Sequence, residues 1–138
     1  KPENCPFKLV SIQEAFSKAD VLTIHTPLTP KTKGLVSREN IALMKPSALL
    51  INSSRGPVVD EYALADALKK GMIAGAAVDV LEKEPMDSES PLKDITNCTI
   101  TPHIAWSPIE TRQRLLDIAY CNLKAYLQGK PQNVVSIY

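Results

Sequence analysis

Charge of either sign is nearly absent as a net quantity: 16 Lys and Arg face 15 Asp and Glu, leaving +1 over 138 residues. A nucleic-acid binder or a membrane-surface protein draws on a basic excess, so this balance argues against both. No apolar run approaches the roughly 20 residues that cross a bilayer, which excludes a membrane-spanning helix. Cysteine is scarce and odd in number (Cys5, Cys98, Cys121), with no C-x-x-C spacing. That argues against a disulfide framework or a zinc site and points to a reducing cytoplasm. The chain opens Lys1-Pro2-Glu3, without an initiator methionine or a signal-like apolar segment. It reads as a piece of something longer.

What is present has the balance of a globular domain, with 44% hydrophobic and 22% charged residues. At this length one domain buries about two-thirds of the surface exposed by its unfolded chain. Helix and strand signals alternate. Ser11 with Glu14 forms a capping box and predicts a helix over Ile12 to Lys18. Val21 to His25 reads as a strand closed by Pro27 and Pro30. Ser37 caps a helix through Met44, ended by Pro46, and Ala48 to Asn52 is the next strand. Asp60 opens a helix over Glu61 to Lys70, ended by Gly71. Ile73 to Val80 and Cys98 to Thr101 are further strands. Ser107-Pro108-Ile109-Glu110 combines an N-cap, a proline at the first helical position and a capping Glu. It launches a helix to about Gln128, stopped by Gly129 and Pro131, and Gly129 to Tyr138 leaves the sheet as an extension. Such alternation predicts βαβ units and an α/β fold with a parallel sheet, its strands continuous apolar runs buried on both faces.

In an open sheet of this class, ligands bind beyond the carboxyl ends of the strands. Four polar groups fall there: His25-Thr26, Asn52-Ser53-Ser54-Arg55, Asp79 followed by Glu84, and His103. Each follows a different strand, so all can converge on one crevice. Arg55 precedes Gly56, which permits a sharp turn, and a guanidinium there can grip a carboxylate through two parallel hydrogen bonds. Spacing alone leaves open a surface arginine paired with a nearby acid. His103, in Thr101-Pro102-His103-Ile104-Ala105-Trp106, can exchange a proton near neutral pH, although a lone histidine beside a core strand is more often structural. Glu84 can orient a histidine or simply be solvated. His25 precedes a loop better suited to bracketing a ligand than to acid/base work. Cys121 reads as packing and Trp106 as pocket wall, while Glu110, Arg112, Arg114, Asp117 and Lys124 form a solvated helix face.

Three ordered motifs, Asn52-Ser53-Ser54-Arg55-Gly56-Pro57-Val58-Val59-Asp60, Ala77-Val78-Asp79-Val80 with Glu84-Pro85, and Thr101-Pro102-His103-Ile104-Ala105, resemble the NAD-dependent D-2-hydroxyacid dehydrogenases. His25-Thr26-Pro27-Leu28-Thr29 and Thr32-Lys33-Gly34-Leu35 fit as well. His103-Ile104-Ala105-Trp106 and Arg112-Gln113-Arg114-Leu115 look most like glycerate dehydrogenases, also called hydroxypyruvate reductases. The resemblance implies a Rossmann-like sheet and hydride exchange between NAD or NADP and a small 2-oxo or 2-hydroxy acid. It implies that Arg55 binds the substrate carboxylate, that His103 is the general acid in reduction, and that Glu84 holds the His103 ring. Thr26, Pro27, Ser53, Ser54, Arg55, Asp79, His103 and Ala105 would line the cofactor, and Arg55, His103 and Trp106 the substrate. A homodimer of the full-length enzyme is also implied.

Set against the family pattern, the glycine-rich G-x-G-x-x-G loop and the acidic residue about 20 positions later are missing. The resemblance therefore implies the second half of a nucleotide-binding domain (residues 1–106) and a helix with tail (107–138) that returns toward a substrate domain. It also implies that Val21 to His25 is a bare apolar edge in this segment, prone to self-association, and that the segment binds NAD weakly. A non-catalytic, dehydrogenase-like NAD-binding assembly module of corepressor type is the competing expectation.

Overall fold

The structure, a computed structural model, describes residues 6–135. Cys5 and the last three residues of the expected tail lie outside that range. The chain divides into two compact units, Lys1–His103 and Ile104–Tyr138.

The first unit is built on four strands: β1 (Val21–Ile24), β2 (Leu49–Asn52), β3 (Gly75–Val78) and β4 (Cys98–Ile100). They pair in the order β1-β2-β3-β4, all parallel, as the alternation of elements predicts. Ile24, Asn52, Val78 and Ile100 form one row across the sheet. The strands therefore finish level, and the chain leaves all four at one rim. Each strand is shorter than the apolar run that announces it, because pairing stops where the chain turns into its loops. Burial on both faces holds best for β3, where Gly75, Ala76 and Val78 are buried. Val21 on the outer strand β1 is exposed, since β1 pairs only with β2 among the described residues.

Among the described residues this unit has three α-helices, α1 (Ile12–Lys18), α2 (Arg38–Ile41) and α3 (Glu61–Lys69), and a short 3-10 turn at Gly56–Val58. Their expected caps form: Ser11 accepts from the Glu14 N–H, Ser37 from Asn40, and Asp60 from Ala63. Helix α3 places Ala63, Leu64, Ala67 and Leu68 inward, and full burial of a leucine contributes about 1.5–3 kcal/mol. Its end is the expected glycine: Gly71 adopts φ +65°, a left-handed conformation in which a Cβ is strained, while the Met72 N–H bonds back to the Ala67 carbonyl. Helix α2 is shorter than expected and stops at Ile41. Leu43 and Met44 donate to the carbonyls three residues earlier, Asn40 and Ile41, which tightens the chain into a turn before Pro46. The core gathers Val36, Ile41, Leu50, Val58, Leu64, Ile73 and Leu92, all essentially inaccessible.

The second unit is dominated by α4 (Ile109–Leu127). Its N-cap is Pro108 and no side chain caps it, contrary to the expected role of Ser107. The helix starts one residue later than expected, and the Ser107 N–H donates to the Ile104 carbonyl in the preceding turn. Cys121 is exposed, not packed. Among the described residues of this unit α4 is the one helix or strand, and none of its residues is buried. Gly129 ends it at φ +70°, as expected. Among the described residues no helix is long and apolar enough to cross a membrane.

Candidate active site

His25, Ser53, Asp79 and Thr101 are the first residues beyond the Ile24–Asn52–Val78–Ile100 row, so the expected site residues of the first unit all leave the sheet along one edge.

Glu84 and His103 meet there. Glu84 Oε2 lies 2.7 Å from His103 Nδ1, and Glu84 Oε1 accepts a hydrogen bond from the Leu81 N–H at 2.9 Å. The Leu81 N–H is the larger influence and His103 the second in holding the Glu84 carboxyl below the ordinary carboxylate range. An ionised Glu84 can only accept, so His103 Nδ1 carries the shared proton. His103 itself has φ +54°, a region that non-glycine residues rarely occupy. Such backbone persists when its surroundings over-determine it. Here the His103 N–H donates to both the Asp79 and the Thr101 carbonyls, at 2.9 and 3.0 Å. The ring is thus fixed from its backbone and from its side chain.

Asp79 is buried, and its Oδ1 accepts from the Thr101 hydroxyl at 2.5 Å. The Asp79 N–H donates to the Asn52 carbonyl, which ties the end of β3 to the end of β2. Asp79, Glu84 and His103 share a cleft of about 590 Å³, walled mainly by Leu81, Pro85, Met86, Ile100 and Pro102.

Arg55 belongs to a different cleft. With His25, Thr26, Pro27, Leu28, Ser53 and Ser54 it lines a hollow of about 470 Å³ between the loops after β1 and β2. The loop around it is stapled by Asn52, whose Oδ1 accepts from the Ser54 N–H (3.0 Å) and hydroxyl (2.8 Å) and whose amide donates to the Arg55 carbonyl (3.1 Å). The guanidinium is exposed and donates to the Ser54 carbonyl at 2.6 Å. It forms no ion pair among the described residues, so the surface pairing that the sequence left open is not made. His25 Nε2 lies 2.9 Å from the Thr23 hydroxyl. Ala105 and the exposed Trp106 fall in the second unit.

The donor set fits the nicotinamide side of a dinucleotide. A largely apolar cleft carries one buried carboxylate at its wall, and the neighbouring hollow offers the hydroxyls of Thr26, Ser53 and Ser54.

Several contributors escape sequence reasoning. Asn52 stands among the polar residues expected at the rim, but that expectation does not cover its stapling of the Arg55 loop, although Asn before Ser-Ser at a strand end favours an Asx turn. Glu61 reads as an ordinary first-turn acid of α3, yet it is buried and reaches the loop that carries Glu84. Gly56 is required for a reason other than a sharp turn: its φ is not left-handed, but a Cβ there would lie 1.9 Å from the Leu81 carbonyl oxygen. The glycine lets two loops touch.

Residues 1–105 match the family model described as the D-isomer specific 2-hydroxyacid dehydrogenase, NAD binding domain. The chain is 48% identical over 134 residues to a hydroxypyruvate reductase of Blautia hydrogenotrophica, covering 97% of this chain and 41% of that protein. It is 46% identical over 129 residues to a glycerate dehydrogenase of Methylorubrum extorquens, covering 92% and 41%. Among solved structures it superposes on an acyclic imino acid reductase in complex with NADPH and D-Arg, with a TM-score of 0.85 and 35% identity, over 92% of this chain and 40% of that one. The chain spans about two-fifths of the length of the curated relatives it matches.

Proposed function

Because the chain belongs to the D-isomer specific 2-hydroxyacid dehydrogenases, we propose that its full-length enzyme interconverts a small 2-oxo acid and the corresponding D-2-hydroxy acid. Hydroxypyruvate or glyoxylate is the 2-oxo acid, and NAD or NADP the cofactor. The observation that carries this reading is the 2.7 Å contact between Glu84 and His103 in a cleft at the carboxyl rim of the sheet.

Bound reduced cofactor supplies the hydride. Reduction builds negative charge on the substrate's 2-oxo oxygen, and the chain's own residues answer that charge. His103 gives the proton on Nε2 to this oxygen, while Glu84 holds the opposite nitrogen and fixes the ring. Arg55 binds the substrate carboxylate and polarises the carbonyl, and its cationic group stabilises the transition state more than the ground state. Asp79, held by Thr101, would hold the nicotinamide amide, and Thr26, Pro27, Ser53, Ser54 and Ala105 would line the rest of the cofactor's reactive end. Trp106 shapes the substrate side. The enzyme works as a homodimer in the cytoplasm. Its near-neutral charge favours a small-molecule substrate over nucleic acid.

Mixing the full-length protein with hydroxypyruvate and NADH tests the reading. Loss of reduced-cofactor absorbance in proportion to enzyme is expected. Tight NAD binding without turnover on hydroxypyruvate or glyoxylate would overturn it in favour of a non-catalytic assembly module.

A further inference from the structure

We propose that Glu61 is a positioning residue for the acid pair: its buried carboxylate holds the Leu81–Glu84 segment in the place from which Glu84 meets His103. The inference rests on the reading of His103 and Glu84 as acid and partner.

Glu61 opens α3, yet the helix does not need it as a cap. Asp60 already accepts from the Ala63 N–H at 2.9 Å. Glu61 is only 8% exposed, and its Oε1 accepts from the Glu82 backbone N–H at 2.6 Å. The adjoining residue, Leu81, donates its N–H to Glu84 Oε1. Two consecutive backbone amides of one short segment are therefore claimed by two carboxylates, one from α3 and one from the acid pair. On the other side, the Leu81 carbonyl presses so closely on Gly56 that no Cβ fits between them. The segment is clamped between the start of α3 and the loop of Arg55, and Glu84 projects from it with both carboxylate oxygens engaged.

A buried carboxylate is a costly way to satisfy one amide. Burial indeed pushes the Glu61 carboxyl above its ordinary range, opposed by the Glu82 N–H. What the carboxylate gains for the molecule is a fixed distance between α3 and the segment that bears Glu84. Removing it frees that segment by a fraction of an ångström or more, and misplacement on that scale at a reacting group lowers turnover by up to about a hundredfold.

The test uses the full-length enzyme and two readouts. Glu61→Ala is expected to lower kcat about tenfold or more while the KM for hydroxypyruvate, set by Arg55 on another loop, changes by less than about twofold. Carbon-detected NMR of the Glu84 carboxyl, without cofactor, should show its titration moving up toward the ordinary carboxylate range, because the Leu81 N–H no longer sits against it. Glu61→Gln keeps an acceptor oxygen and should restore both. Glu61→Asp retains the charge, shortens the reach and should behave like Glu61→Ala, which keeps the test open if the alanine variant does not fold. An unchanged Glu84 titration and kcat in Glu61→Ala or Glu61→Asp would overturn the proposal. Glu84→Gln is the control that separates the two failures. If it too leaves turnover intact, the acid-pair reading falls. If it abolishes turnover while the Glu61 variants do not, only the role of Glu61 falls.

Discussion

The loop after β2 and the loop after β3 leave the sheet one strand apart, yet they hold their functional side chains in opposite ways. Arg55 rides on a backbone stapled by the buried Asn52, but its guanidinium is exposed and donates to the carbonyl of its own neighbour, Ser54. Glu84 is engaged at both oxygens, by Leu81 and by His103, and the segment that carries it is held in turn by Glu61 and packed on Gly56. A proton donor must be oriented before the substrate arrives, because a misaligned ring loses the transfer itself. A carboxylate clamp receives its partner from the substrate, so it can wait in solvent with its donors pointed outward. On the proposed roles, the difference between the two loops is that between a group that reacts and a group that grips.

The sharpest way to break that contrast is to remove the reacting group. In the full-length enzyme, His103→Ala should lower kcat by about two to four orders of magnitude in steady-state reduction of hydroxypyruvate. Near-normal turnover would erase the distinction. Arg55→Ala should act more gently and on both parameters, raising KM and lowering kcat/KM by about ten- to a hundredfold, the worth of a charge-assisted hydrogen bond. A fall in kcat with KM unchanged would place Arg55 on the reacting side instead. Gly56→Ala should destabilise by about 1–3 kcal/mol in denaturant unfolding, since a backbone must shift to admit the Cβ. A neutral outcome would mean that the two loops are not in register with each other.

The smallest effect concerns pH. The Glu84 carboxyl is held below its ordinary value of 4.5, first by the Leu81 N–H and then by His103. Between the folded and the ordinary value the unfolded chain binds more protons, so this contribution is complete above the ordinary value and fades as pH falls through the folded one. The gap in thermal midpoint between wild type and Glu84→Gln should therefore narrow on acidification below about pH 4.5. A gap that widened would show that Glu84 is not held as an anion by these partners.

Much of this molecule can be read from local chemistry. Ser11, Ser37 and Asp60 cap helices because a side-chain oxygen two or three residues from an orphan amide acts whatever the rest of the fold does. Gly71 and Gly129 end helices for an equally local reason. Arg55, Asp79, Glu84 and His103 stand out because each follows a strand, and strands of a parallel sheet end on one side. Other features were out of reach. Ser107 has the signature of a cap, but the helix begins one residue later, with Pro108 as its N-cap. Cys121 reads as a packing residue, but no residue of its helix is buried and the cysteine is exposed.

The alternation of helices and strands, the parallel class of the sheet and the caps at Ser11, Ser37 and Asp60 were legible in the chain's residues alone, because each rests on local patterns a few positions long. Which loop touches which was decided only when the sheet assembled. Glu61 and Glu82 are 21 residues apart, and Gly56 and Leu81 are 25 apart. Their contacts exist because parallel pairing of β2 with β3 sets the two loops side by side. No spacing in the sequence encodes that adjacency, and it is what aims Glu84 at His103.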